Sequence, residues 1–118
     1  MSGGLRVAVT SGQGQKVDLH FGHADQFLVF DITAGPAEFL EARHVESGEE
    51  DFEGLEDLDA VVDLLSDCQV VVSRRVGPHA RARLDARGIR AVESSDTVLE
   101  SLAQVREQLL KESLMANG

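Results

Sequence analysis

The chain predicts a single α/β domain built on a mixed β-sheet. Three observations carry that expectation. In the second half, short β-prone runs alternate with helical repeats of apolar residues. In the first half, two β-prone runs lie close together across a Gly-Pro turn, as in an antiparallel hairpin. The length of 118 residues, with no internal repeat and no long linker, suits one domain over 1–118.

Each element has its own warrant. Residues 5–10 (LRVAVT) alternate Leu5, Val7 and Val9 against Arg6, Ala8 and Thr10, the period of a half-buried strand. SGQGQK then supplies a glycine-containing loop. Residues 27–32 (FLVFDI) are short and almost wholly apolar, which suits a strand covered on both faces. After Gly35-Pro36, residues 39–45 (FLEARHV) read as a more polar edge strand. Residues 46–57 (ESGEEDFEGLED) carry seven carboxylates and read as a solvated loop, with docking to a basic partner as the alternative.

Leu55, Leu58, Val61, Val62 and Leu65 recur at helical spacing and place an amphipathic helix over 55–66. Asp59 and Asp63 face water on that helix, and His44 on the edge strand is incidental. The uninterrupted valines of 69–73 (QVVVS) suit a central strand. Gly77-Pro78 starts a second helix, because proline is tolerated in a first turn. Val76, Ala80 and Leu84 mark its inner face, and Gly88 ends it in the left-handed conformation. Residues 89–92 (IRAV) form the last strand. Thr97 and Glu100 have capping-box spacing ahead of a helix running to about residue 111, and MANG is a frayed tail.

Composition narrows the function. Apolar residues make up 42%, enough for one core, and the net charge is −10. Such an acidic chain is poorly suited to displacing counterions from nucleic-acid phosphates, or to an anionic membrane surface. One cysteine, Cys68, excludes an internal disulfide and a Cys-x-x-Cys metal pair. It precedes a strand and reads as a buried structural thiol at the sheet end away from the site. MSGGLRVAVT lacks a signal-peptide pattern, and no run nears the about 18 apolar residues of a membrane span. The expectation is a cytoplasmic protein, and Met1 with the trailing MANG suits a complete small one.

Ligands of open α/β sheets gather beyond the carboxyl ends of parallel strands. Two segments are expected to meet there. One is the loop after the first strand, which holds Asp18 and the HFGH run of His20, Phe21, Gly22 and His23. The other is SRRVGPH, residues 73–79, where Arg74 and Arg75 precede Gly77 and His79 at a helix N-terminus suited to anions. The glycine beside His23 allows a tight bend or a close backbone approach. His20, His23 and His79 are the candidate metal ligands, with Asp18 as a fourth for zinc. The bland alternatives are hydrogen-bonded loop histidines and arginines paired with some of the 21 acidic residues. A hydrolase would need several carboxylates at strand ends. The strands read here end in Thr10 and Ser73, and only Asp31 is a strand-terminal acid.

VAVTSGQGQKVDLHFGHADQFLVFDI, together with DCQVVVSRRVGPHARARLDARGI, resembles the nitrogenase iron–molybdenum cofactor biosynthesis family: NifX, NafY and the C-terminal domain of NifB. The resemblance spans about residues 6–109. It is most specific at HFG(H)A, Asp67-Cys68, Gly77 and Gly88-Ile89. It implies a ribonuclease-H-like three-layer sandwich, a five-stranded mixed sheet with flanking helices. It also implies a non-enzymatic carrier or chaperone for iron–molybdenum cofactor, its precursors or a related Fe–S or Mo–S cluster, bound transiently. The family histidine falls on His20. The more distant orange-protein group of sulfate reducers carries a molybdenum–copper sulfide cluster, so a metal–sulfur cargo is implied more firmly than nitrogenase itself. The implied cofactor-binding set is His20, Phe21, Gly22, His23, Arg74, Arg75, Gly77 and His79. The implied partners are cluster donor and acceptor proteins, to a monomer or weak dimer. The competing reading is a regulatory or scaffold module of the same fold that carries no cluster.

Overall fold

A computed structural model describes residues 5–12, 14–21, 24, 26–33, 36–44 and 55–117. Its elements follow the order β1 (Arg6–Val9), β2 (Gln26–Asp31), β3 (Glu38–His44), α1 (Leu55–Leu64), β4 (Val70–Ser73), α2 (Pro78–Ala86), β5 (Arg90–Glu93) and α3 (Val98–Asn117). The five strands form one sheet in the order β3-β2-β1-β4-β5. β1 is antiparallel to β2, and β2 to β3. β4 runs parallel to both β1 and β5. The sheet is therefore mixed, with the hairpin at one side and the parallel crossovers at the other. The acidic run 46–54 and Gly22, His23 and Gly35 lie outside the described residues.

Alternation along the strands divides the interior in two. Ala8, Val29 and Val71 point to one face, with Leu58, Val62, Leu65, Ala80 and Leu84 of α1 and α2 above them. Val7, Val9, Val70 and Val72 point to the other, beneath Val98, Leu102 and Val105 of α3. The three layers are thus α1 and α2, the sheet, and α3.

β1 is more deeply buried than its pattern suggests. Val7, Ala8, Val9 and Thr10 are all inaccessible to solvent. Ala8 and Thr10 read as an outward face, but β1 lies centrally and the small side chains fit beneath a helical layer. Only Arg6 reaches the rim, where it pairs with Asp67.

α2 starts at Pro78, as the Gly-Pro pair predicts. It ends in a Schellman motif. Gly88 takes φ +75°, its N–H donates to Asp85 O at 3.0 Å, and Ile89 N–H donates to Leu84 O at 2.9 Å. Ile89 and Leu84 are both buried in the same cluster, the hydrophobic contact that accompanies this cap. Thr97 Oγ1 accepts from Glu100 N–H at 3.1 Å and caps α3. That helix continues to Asn117, through the segment read as a tail. KESLMA holds no breaker, and its leucine, methionine, alanine, lysine and glutamate are good helix formers.

The last strand is shifted by one residue from its predicted span. It runs Arg90–Glu93, so Glu93 joins Asp31 as an acid at a strand end. Asp59 and Asp63 are exposed as expected, and they bridge to α2 through Arg83 at 2.9 Å and Arg87 at 2.6 Å.

Candidate functional site

The site lies where the chain leaves the carboxyl ends of β1 and β4. Thr10 N–H donates to Val72 O at 3.0 Å, extending the parallel pairing past the last residue of β1. In the loop that follows, Gly14 takes φ +85°, a conformation that side-chain-bearing residues rarely adopt. Ser11 Oγ accepts from Gly14 N–H at 2.8 Å. Asp18 Oδ1 accepts from Gly12 N–H at 3.0 Å. Asp18 thus closes its own loop through one carboxylate oxygen.

On both sides of Asp18 the loop is laced to its neighbours. Val17 N–H donates to Asp96 O and Val98 N–H to Gln15 O, at 3.0 and 2.9 Å, tying it to the entrance of α3. Arg74 N–H donates to Leu19 O at 3.0 Å, and Phe21 N–H donates to Arg75 O at 2.9 Å. Thr10 Oγ1 donates to the same Leu19 carbonyl at 2.7 Å. Residues 19–21 therefore run beside 74–75 like a short strand pair, although more than fifty positions separate them. The two segments singled out by sequence are joined by backbone hydrogen bonds.

This pairing decides which side chains enter the core and which leave it. Phe21 is fully buried and packs on Phe27, with ring centroids 5.5 Å apart. Leu19 packs against the same cluster. His20 lies between them and is exposed. Phe21 is thus an anchor that holds the backbone at His20. Its apolar area, once buried, contributes on the order of 2–3 kcal/mol to holding the loop down.

On the second segment Arg74, Arg75, Gly77 and His79 are exposed, while Val76 is buried. Gly77 has φ −68° and ψ 166°, ordinary extended backbone, and open space where a Cβ would stand. Its value is therefore an uncovered approach to the start of α2, not a special dihedral. That start has no side-chain cap and no acidic residue in its first turn. His79 occupies the second position of the helix, on its solvent side. Among the described residues no three His, Cys, Asp or Glu side chains gather as a metal site. The candidate set of His20, His23 and His79 includes a residue outside the described ones.

Two further polar groups meet at this edge, and one of them, Glu93, escaped the reading of the sequence. Ser73 is wholly buried, and its Oγ has no hydrogen-bond partner among the described residues. An unpaired buried hydroxyl costs about 1–3 kcal/mol. Ser73 pairs with Glu93 across the parallel register, and both share the face of Val71 and Ala91, toward α2. Glu93 Oε2 accepts from Val76 N–H at 2.9 Å and lies 3.6 Å from Arg81 Nη2. The Val76 N–H first, then Arg81 and Arg75, hold its carboxyl below the usual glutamate range. Its role depends on strand register, which carries no motif.

The cysteine lies at the opposite end of the sheet. Cys68 is buried, and burial first, then the neighbouring Asp67 charge, pushes its thiol up to about 11. It is a structural thiol, as read. A groove of about 190 Å³ runs between β5 and α3, lined by Val92, Ser94, Ser101 and Val105. It belongs to the α3 face and is separate from the α2-facing group of Ser73 and Glu93. Among the described residues no helix is long and apolar enough to cross a membrane.

Residues 4–108 match the family described as dinitrogenase iron-molybdenum cofactor. The chain is 32% identical over 110 residues to the FeMo cofactor biosynthesis protein NifB of Frankia alni, covering 90% of this chain and 21% of that protein. It therefore spans about a fifth of that relative. It is 30% identical over 118 residues to Protein NifX of Rhodobacter capsulatus, covering 97% of this chain and 71% of that one. The fold is shared with the apo form of the orange protein from Desulfovibrio gigas, with a TM-score of 0.69, 24% identity and 92% of each chain covered.

Proposed function

The chain belongs to the dinitrogenase iron-molybdenum cofactor family, and from that premise we propose that it is a non-enzymatic carrier of a metal–sulfur cluster. The cargo is iron–molybdenum cofactor, a precursor or a related cluster, received from a donor protein and handed to an acceptor during cofactor assembly for nitrogen fixation. The protein works in the cytoplasm, where its single thiol stays reduced. A ribonuclease-H-like description of the fold is supported by the five-stranded mixed sheet between helical layers.

The observation that carries this reading is the pairing of residues 19–21 with 74–75. It sets an exposed imidazole beside a segment bearing two exposed guanidinium groups, in a molecule of net charge −10. An anionic cluster is drawn to that local positive region. His20 supplies a ligand or hydrogen bond, with His23 and His79 assisting. Arg74, Arg75 and the uncovered backbone at Gly77 offset the cluster's charge. A carrier must also let go. Few protein ligands on an open surface suit release better than a closed thiolate cage.

Anaerobic titration with isolated cofactor or with tetrathiomolybdate tests the proposal. The expected result is a stoichiometric coloured complex, weakened at least about tenfold by His20→Ala. Absence of any complex overturns the carrier reading. Equal binding by the variant overturns the role of His20.

A further inference from the structure

We infer that Glu93 is an internal competitor of the cargo: a resident carboxylate on the donors and cations that an anionic cluster would use, which weakens binding and favours release. The inference rests on the carrier reading above.

Helix N-termini are ordinarily served by a Ser, Thr, Asp or Asn cap, or by acidic residues in the first turn. α2 has neither, and its first residue is a proline. The carboxylate that serves this region comes from another element. Glu93 ends β5, and its register partner Ser73 ends β4, so its side chain rises on the α2 side of the sheet. There Oε2 accepts from Val76 N–H at 2.9 Å, at the residue just before the N-cap Gly77. The same oxygen is 3.6 Å from Arg81 Nη2, and the charge of Arg75 also acts on this carboxylate. One backbone donor and two guanidinium groups are thus shared with a single negative charge.

That charge opposes an incoming anion in two ways. Before binding, it satisfies the Val76 N–H and pairs with Arg81. After binding, it remains beside the segment that would hold the cargo and repels it. With 44% of its side chain exposed, Glu93 can swing into solvent without disturbing the core. The arrangement has the properties a carrier needs: enough positive charge to attract the cargo, and a built-in anion to limit how tightly it is held.

Glu93→Gln tests this, because the amide keeps an acceptor for Val76 N–H and removes only the charge. The probe is tetrathiomolybdate, titrated anaerobically into wild type and variant, with thermal unfolding as a check on folding. The variant is expected to bind about fivefold tighter or more, as one unit charge near a dianion implies. The gain should shrink with added salt, because it is a charge effect. If wild type binds and the variant binds equally or more weakly, the competitor role is overturned while the carrier reading stands. If only the variant binds, the competitor role stands and the carrier reading of the native protein falls. If neither binds, both fall.

Discussion

Asp67 is a surface carboxylate that matters for stability, and Asp67→Ala exposes why. Both its oxygens face Arg43: Nη1 donates to Oδ1 at 2.7 Å and Nη2 to Oδ2 at 2.9 Å. Arg6 Nη1 donates to Oδ2 at 2.7 Å. The same Arg43 Nη1 donates to Leu64 O at 2.9 Å, and Nε donates to Glu41. One carboxylate therefore ties β3, β1 and the end of α1 together. The Arg43 side chain is only 16% exposed, against 40% for Asp67 and 44% for Arg6. The two-pronged, half-shielded pair with Arg43 contributes about 1.5 kcal/mol after allowance for solvent screening, and the open Arg6 pair about 0.5 kcal/mol. The variant should lose about 2 kcal/mol at pH 7, or about 8 °C in Tm at roughly 4 °C per kcal/mol for a domain of this size.

The hydrogen bonds from Arg43 hold the Asp67 carboxyl well below the usual range. Its folded-state pKa is thus lower than its unfolded value of about 3.9. The contribution is complete above pH 5 and is lost as pH falls through 4 toward the folded-state value. Urea unfolding followed by far-ultraviolet circular dichroism, repeated from pH 7 to pH 3, measures both effects. A wild-type advantage under about 0.5 kcal/mol at pH 7, or one that persists undiminished to pH 3, refutes the reasoning.

Three further outcomes follow from packing and capping. Leu84→Ala, which empties a fully buried position beneath α2, should cost about 3 kcal/mol in urea unfolding. Thr97→Ala removes the side-chain acceptor for Glu100 N–H and should cost about 1 kcal/mol by the same assay. Cys68, with its thiol pushed up to about 11, should react with iodoacetamide at pH 8 about a hundredfold or more slowly in native protein than in urea, as mass spectrometry over time would show.

Sequence alone was informative wherever the determinant was local. The valines of β4, the Gly-Pro entry to α2, Gly88 at its exit and the Thr97 cap each depend on neighbours within a few positions. Chain order then placed β3 at an edge and β4 inside the sheet, because a hairpin must pair with itself and parallel strands need crossovers. What local pattern could not supply was depth and register. Ala8 and Thr10 look like an outward face until a second helical layer covers them. A one-residue shift in β5 carries Glu93 to the strand end, opposite Ser73 and beneath the entrance of α2. Short-range propensity determines which residues become helix or strand. The neighbours of a strand's last side chain are set by hydrogen-bond pairing with a distant segment, and only the assembled sheet decides that.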